Sequence, residues 1–262
     1  MTEGSQPGRE AGALPRALRF SRETIELIAD DVRPIDAGFV VRSPSLPNVW
    51  VMNHVRITEP VSSDEALALA DEHLADLCYR ELFVEDEQTG QSLEQSLRGT
   101  GWKIERDVLM ALGDKPRRTL DTSVVIDADE DRTLELMRQW FLEGPPKLTP
   151  ADVSQLVEYS RREARARGDR NFGVVGDGGG LVAMTKLRSD GATAQVEDVY
   201  TVPEARRRGY ARALVSHAVA QARSEAHDLI FITADDNDWP KHLYAQIGFA
   251  PIGWAWAFHR GP

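Results

Sequence analysis

Three consecutive arginines and a glycine stand between an apolar run and an amphipathic one in VEDVYTVPEARRRGYARALVSHA, residues 196–218. A strand ending at Val202 and a helix starting near Gly209 would leave several peptide N–H groups free in the loop between them. The first helical turn adds roughly four unpaired donors, with the positive end of the macrodipole behind them. A phosphate or pyrophosphate is the ligand such a site takes most readily. Gly209 lets the backbone come close to it, Ala211 keeps the first turn uncrowded, and Arg206, Arg207 and Arg208 add local positive charge. Cations at a helix N-terminus run against the dipole, so their placement makes most sense with an anion among them. Taken alone, the loop also fits three solvated arginines. Nucleic-acid binding fits worse, because no aromatic stacking platform or wider basic stripe accompanies it.

Composition narrows the choice. The 262 residues, 42% of them hydrophobic, suffice for one large domain or two of ordinary size, and two compact units are expected. A formal net charge of −11 repels phosphate backbones, so any role of the arginines is local. Cys78 is the single cysteine, which rules out an internal disulfide or a cysteine-based zinc site and fits a reducing compartment. The N-terminus is polar and Gly/Pro-rich, with no apolar run of signal-peptide length, and no stretch approaches the roughly 18 apolar residues of a membrane span. The expectation is a cytoplasmic protein with a flexible leader over residues 1–18.

The elements that must position the loop follow from pattern. A helix around Arg22–Ala29 and strands GFVVRS and VWVMNHVRI open the first half. SSDEALALADEHLADLC is helical, with Leu67, Ala70, Leu74 and Leu77 on one face and Ser62 or Ser63 as N-cap. A strand YRELFVED, a short helix QSLEQSLRG and a strand WKIERDVLMAL complete it. GDKPRRTLD, residues 113–121, is the candidate linker. The second half reads as a strand SVVID and the helix DRTLELMRQWF. A helix capped by Thr149, Pro150 and Gly168 follows. After a hairpin around GDGGG come the strand AQVEDVYTV, the helix GYARALVSHAVAQARSE, the strand LIFITA, a helix ended by Gly248 and a last strand FAPIGWAWAF. The order strand, two helices, three strands, helix, strand, helix, strand describes an α/β (α+β) layer domain. GDGGG lies in a hairpin turn with no helix after it, so it is a poor phosphate loop. The histidines show no metal-ligand spacing, and no metal is expected.

VYTVPEARRRGYARAL resembles the acyl-CoA signature of the GNAT superfamily of N-acyltransferases, in which Arg or Gln, two residues, Gly, one residue, and Gly or Ala follow a strand. Arg206, Gly209 and Ala211 fill those positions. NDWPKHLYAQIGF, residues 237–249, resembles the superfamily's second signature through Asn237, Leu243, Tyr244, Gly248 and Phe249. Tyr210 and Pro240 depart from the usual residues; Pro240 is tolerated in a first helical turn.

The resemblance implies acetyl-CoA as co-substrate, with its pyrophosphate on the loop amides and its pantetheine arm along Val199, Tyr200 and Thr201. Arg206 to Arg208, Tyr210, Arg212 and Asn237 complete the implied cofactor site. It casts Tyr244 as general acid toward the CoA thiolate; a phenol near pKa 10 and a thiol near 8.5 are close enough for transfer. The N–H of Val199 could polarise the thioester carbonyl. Glu197 is the favoured general base. It is expected to share a strand face with Val199 and Thr201, and Asp198 to point the other way.

The first half resembles a worn copy of the same domain. It repeats the order strand, helix, strand, helix, strand, with GTGW where Gly-Phe would stand, but ITEPVSSDE replaces the arginine loop and Leu97 and Arg98 fall near the tyrosine's place. The implied architecture is two GNAT-like domains, at 19–115 and 120–262, each a mixed, mostly antiparallel sheet flanked by helices, with one live site in the second. The implied activity is acetyl transfer to a primary amine of a small molecule, by a monomer or homodimer. A peptide or protein N-terminus as acceptor, or a non-catalytic acyl-CoA-binding regulator, are the alternatives.

Overall fold

The computed structural model describes residues 12–113, 121–143 and 147–261. Helix α1 (Ala13–Ile28) leads into a hairpin of β1 (Asp31–Ile35) and β2 (Gly38–Arg42), a 3-10 turn at Trp50–Met52, and β3 (His54–Ile57). Next come α2 (Ser63–His73), β4 (Arg80–Val84), α3 (Glu87–Leu97) and β5 (Lys103–Leu112). The second half runs β6 (Ile126–Ala128), α4 (Glu130–Phe141), α5 (Pro150–Arg167), β7 (Arg170–Val175), β8 (Leu181–Ser189) and β9 (Thr193–Thr201). It ends with α6 (Tyr210–Ser224), β10 (Leu229–Asp235), α7 (Pro240–Ile247) and β11 (Phe249–Arg260).

Local chemistry sets most helix ends. The Ser62 hydroxyl accepts from the N–H of Glu65 and caps α2, with Asp64 and Glu65 in its first turn. Thr149 and Asp152 form a reciprocal capping box on α5, Pro150 takes its first position, and Gly168 closes it in the left-handed conformation at φ 61°. Pro240 opens α7, where its missing N–H costs nothing.

The eleven strands of the described residues join one sheet in the order β1-β2-β3-β4-β11-β5-β10-β9-β8-β7-β6. Pairing is antiparallel except at β3/β4 and β9/β10. Each half thus has the mixed, mostly antiparallel sheet expected, but the halves do not keep their strands to themselves. The final strand β11 lies between β4 and β5, with Trp256 opposite both Val84 and Arg106, and β5 in turn pairs β10. The division into sheets at 19–115 and 120–262 is corrected accordingly: β5 and β11 are exchanged across it. Pattern within a segment says which residues face the core, not which strand lies alongside, and the exchange covers the open edges of both β4 and β10.

Helices cover both faces. On one face α2 and α3 pack on Leu82, Val84, Trp256 and Phe258, while α6 and α7 pack on Val108, Val196 and Ile232. A Cβ at Gly90 of α3 would come within 2.3 Å of the Trp256 ring, so only glycine admits this contact. On the other face Ala17 and Phe20 of α1 meet Leu109 and Phe231, and α4 and α5 cover Met184 and Tyr200. Where the halves interleave, His259 of β11 bridges Glu81 of β4 through Nδ1 and Glu105 of β5 through Nε2, the latter at 3.1 Å. These hydrogen bonds outweigh burial and raise the imidazole to about 9.

Other expectations also need correction. The leader does not extend to residue 18, because α1 begins at Ala13 and buries Ala17 and Phe20; residues 1–11 lie outside the described residues, as do 114–120 of the candidate linker. VWVMNHVRI is a 3-10 turn followed by a four-residue strand, as His54 hydrogen-bonds the Val51 carbonyl at 2.8 Å. β1 escapes pattern reading because its sequence, DVRPI, is polar and carries a proline, as edge strands tolerate.

Candidate active site

Strands β9 and β10 run side by side only from Thr193–Val196 against Leu229–Ile232. Beyond that point they part. Thr233 to Asp235 continue against Leu109 to Asp107 of β5, while Tyr200 and Thr201 stay with Met184 and Ala183 of β8. The β10-facing edge of β9 from Glu197 onward therefore has no strand partner. A β-bulge accompanies the parting: Lys186 opposes Glu197 and Met184 opposes Tyr200, so Asp198 and Val199 together face Thr185. Asp198 takes φ 53°, and the Thr185 hydroxyl donates to the Glu197 carbonyl at 2.8 Å.

The bulge overturns the expected alternation. Glu197 and Asp198 both lie on the α5 side, where both feel the charge of Arg188, and Asp198 pairs with Lys186 at 2.9 Å. Val199 instead packs with the core beneath α6, and Tyr200 returns to the α4/α5 side. Strict period-two reading fails here because one extra residue flips every side chain after it.

The arginine loop leads from β9 to α6 through a 3-10 turn at Pro203–Ala205. Arg207 and Gly209 both have positive φ, at 63° and 84°. The first intrahelical bond of α6 runs from the N–H of Ala213 to the carbonyl of Gly209, and no side chain caps the helix. The N–H groups of Gly209, Tyr210, Ala211 and Arg212 are therefore open to a ligand. Arg207 and Arg208 are exposed and have no acidic partner among the described residues. Arg206 folds back, its Nε donating to the Thr201 carbonyl at 3.0 Å and its Nη2 to Glu143 at 3.2 Å. Glu143, at the end of α4, also accepts from the Tyr200 hydroxyl, and Tyr200 stacks on Trp140 at 5.2 Å. Arg212 reaches Gln246 of α7.

Tyr244 of α7 is 6% exposed beneath the parting strands and packs edge-on against Phe249. Burial first, then the charges of Glu197 and Asp238, raise its phenol well above the ordinary value. That coupling places Tyr244 and Glu197 within electrostatic reach of each other. Burial and the neighbouring Asp198 raise the Glu197 carboxyl to about 8. Asn237 is less central: exposed in the turn before α7, it lines a cavity of about 330 Å³ with Glu94, Arg98, Trp102 and Arg106 of the first half.

Sequence reading misses the charges under α5. Arg188 pairs with Glu163 at 3.0 Å and with Asp169 at 3.0 Å, Tyr159 donates to Glu163 at 2.8 Å, and Lys186 is 1% exposed. The available signal is LVAMTKLRS, where Lys and Arg alternate with apolar residues in a strand too apolar for an exposed face.

Among the described residues, the first half has no such parting of its parallel strands. β3 and β4 stay joined to their ends, with the Glu85 N–H bonded to the Ile57 carbonyl. Its strand-to-helix loop is tied down by Thr89, whose hydroxyl sits 3.1 Å from the Val61 N–H and 3.2 Å from the Val61 carbonyl. Leu97, near the place of Tyr244, is buried in the core.

Residues 134–249 match the acetyltransferase (GNAT) family. No curated protein matches the chain significantly. Among solved structures, a functionally unknown conserved protein from Staphylococcus epidermidis ATCC 12228 superposes with a TM-score of 0.67 at 13% identity, covering 89% of this chain and 94% of that one. A GCN5-related N-acetyltransferase from Kribbella flavida does so with a TM-score of 0.60 at 20% identity over 95% of this chain and 96% of its own. One from Sphaerobacter thermophilus gives 0.53 at 15% identity over 74% and 66%. The family match lies wholly within the second half of the chain, from α4 to the first residue of β11. The fold of the described residues, in both halves, is similar to that of the Kribbella structure.

Proposed function

We propose that the chain transfers an acetyl group from acetyl-CoA to a primary amine of a small molecule, by direct attack on the thioester. The observation that carries this is one arrangement: the strands part at Val196, the uncapped amides of α6 stand at one end of the opening, and Glu197 and Tyr244 lie within electrostatic reach of each other there. The residues fit the co-substrate. Four unbonded N–H groups with Arg207 and Arg208 beside them suit a pyrophosphate, and the free edge of β9 suits the amide-bearing pantetheine arm.

Acetyl-CoA bound there supplies the activated acyl group. Glu197, once ionised, removes a proton from the incoming ammonium, directly or through a water, so that a neutral amine attacks. A main-chain N–H on the open edge of β9, that of Val199, polarises the carbonyl. Tyr244 protonates the departing sulfur, and the second proton lost by the acylated nitrogen restores the tyrosinate to its phenol. Burial keeps the phenol protonated at any working pH but makes it a weak acid. When Glu197 takes up its proton it loses the charge that raises the phenol, so the base's step makes the acid stronger.

Calorimetric titration of acetyl-CoA into the wild type and into Gly209→Glu tests the reading. One binding site in the wild type, lost in the variant, is expected. No heat at millimolar acetyl-CoA overturns the proposal, and two sites would show that the first half binds as well.

A further inference from the structure

The bulge leaves two carboxylates side by side, and chemistry at the site needs only one of them to carry a proton. The groups around Glu197 come from several elements: Asp198 of β9, Arg188 of β8, Glu163 of α5 and Asp169 just after it act on its charge, its own charge acts on Tyr244 of α7, the Gln195 amide bonds it, and Lys186 of β8 and Tyr159 of α5 act on Asp198 and Glu163 beside it. Two cations thus stand among four carboxylates. Arg188 is spent on Glu163 and Asp169, with its Nη1 on the first and its Nε and Nη2 on the second at 3.0–3.1 Å. Lys186 is spent on Asp198 at 2.9 Å, with side-chain exposures of 2% and 20%. Glu197 has only the neutral amide of Gln195 on its Oε1.

We propose that Lys186 is a positioning residue: it holds Asp198 as the permanently ionised member of the Glu197–Asp198 pair and leaves Glu197 as the member that exchanges a proton. Two adjacent, partly buried carboxylates do not both ionise cheaply, and the one with an ammonium against it keeps its charge. Burial alone would raise Asp198, and the charge of Lys186 in the 2.9 Å ion pair overrides it; Glu197 has only the charge of Arg188, already paired with Glu163 and Asp169, and that does not offset its rise. The bulge therefore does more than open the strand pair. It brings Asp198 beside Glu197, where its fixed negative charge holds a proton on the neighbouring carboxyl. This assignment rests on Glu197 as the base of the transfer reaction.

The test is an infrared titration of the free protein, following the protonated-carboxyl band that Glu197→Gln removes. It needs no acetyl-CoA, so its outcome is separate from that of the binding experiment. The wild-type band should persist at pH 7 and vanish on the alkaline side. In Asp198→Asn the midpoint should fall by about one pH unit or more, because the like charge is gone and Lys186 is left to Glu197. In Lys186→Met it should rise. In the double variant Lys186→Met/Asp198→Asn, which removes an ion pair without leaving an unpaired charge, it should return close to the wild-type midpoint. If Lys186→Met does not fold, Asp198→Asn and the double variant carry the test. A Glu197 already ionised below pH 6 in the wild type, or a midpoint that neither variant moves while thermal stability drops, overturns the proposal and leaves Lys186 a structural residue.

Discussion

The two parallel strand pairs of this molecule share a topology and differ in how they end. β3 and β4 remain hydrogen-bonded to the last residue, and the loop beyond them is short, acidic and clamped by Thr89. β9 and β10 part after four residues, and the loop beyond them is basic and uncapped. The difference comes from a few residues: a bulge at Asp198, an αL glycine at 209 where the first half has a capping serine at 62, and a tyrosine where the first half has Leu97. A fold that opens at one pair and stays shut at the other separates what the architecture requires from what a ligand site requires.

The sharpest break of that contrast is Tyr244→Phe. It should lower kcat by about 10²–10⁴-fold while leaving acetyl-CoA affinity unchanged, since in the proposed reaction the hydroxyl serves proton transfer alone. A calorimetric Kd beside steady-state rates checks both halves of the statement. Next in size is the pH profile. With Glu197 raised to about 8, kcat/KM should climb about tenfold per pH unit up to that value, and Glu197→Gln should remove the limb. A profile already flat from pH 6 would exclude Glu197 as the base.

The interleaved strands give a thermal prediction. His259 is raised to about 9 by Glu81 and Glu105, so the stability it adds is fully present below its unfolded value near 6.5 and is lost as pH rises through 9. His259→Gln should therefore lower Tm by about 5 °C at pH 6, with the deficit shrinking toward pH 10. A deficit independent of pH would mean that packing, not the ion pairs, joins the halves there. Smallest is Thr89→Val, which should cost about 1 kcal/mol in denaturant unfolding and leave catalysis untouched, because the proposed reaction makes no use of the loop it clamps. Acetyl-CoA binding gained by this variant at the first half would refute that account.

The arginine loop and the tyrosine helix were legible because their spacing is short and their chemistry sits in consecutive residues. Ser62, Thr149, Pro150, Gly168 and Gly248 likewise marked helix ends by local chemistry alone. The bulge was not legible: Glu197, Asp198 and Val199 read as an ordinary alternating strand, and nothing local says that two of them share a face. The exchange of β5 and β11 was hidden for a similar reason, since WKIERDVLMAL and FAPIGWAWAF are patterned for burial without naming a neighbour. The pairing of Lys186 and Arg188 with acids from α5 and β9 depends on both of these, so it became visible only with the fold.

That exchange also has a consequence for how the protein is made. The partner of Leu82 to Val84 is encoded at Trp256 to Phe258. At about 5–20 residues per second, on the order of ten seconds or more of translation separate the two segments. Throughout that interval the first half emerges from the ribosome with an unzipped strand edge in the middle of its sheet. Until β11 is made, β4 lacks its neighbour, and the second half in turn takes β5 from the first. Each half thus takes one strand from the other, and removal of Trp256 to Phe258 should be felt in the half synthesised before them.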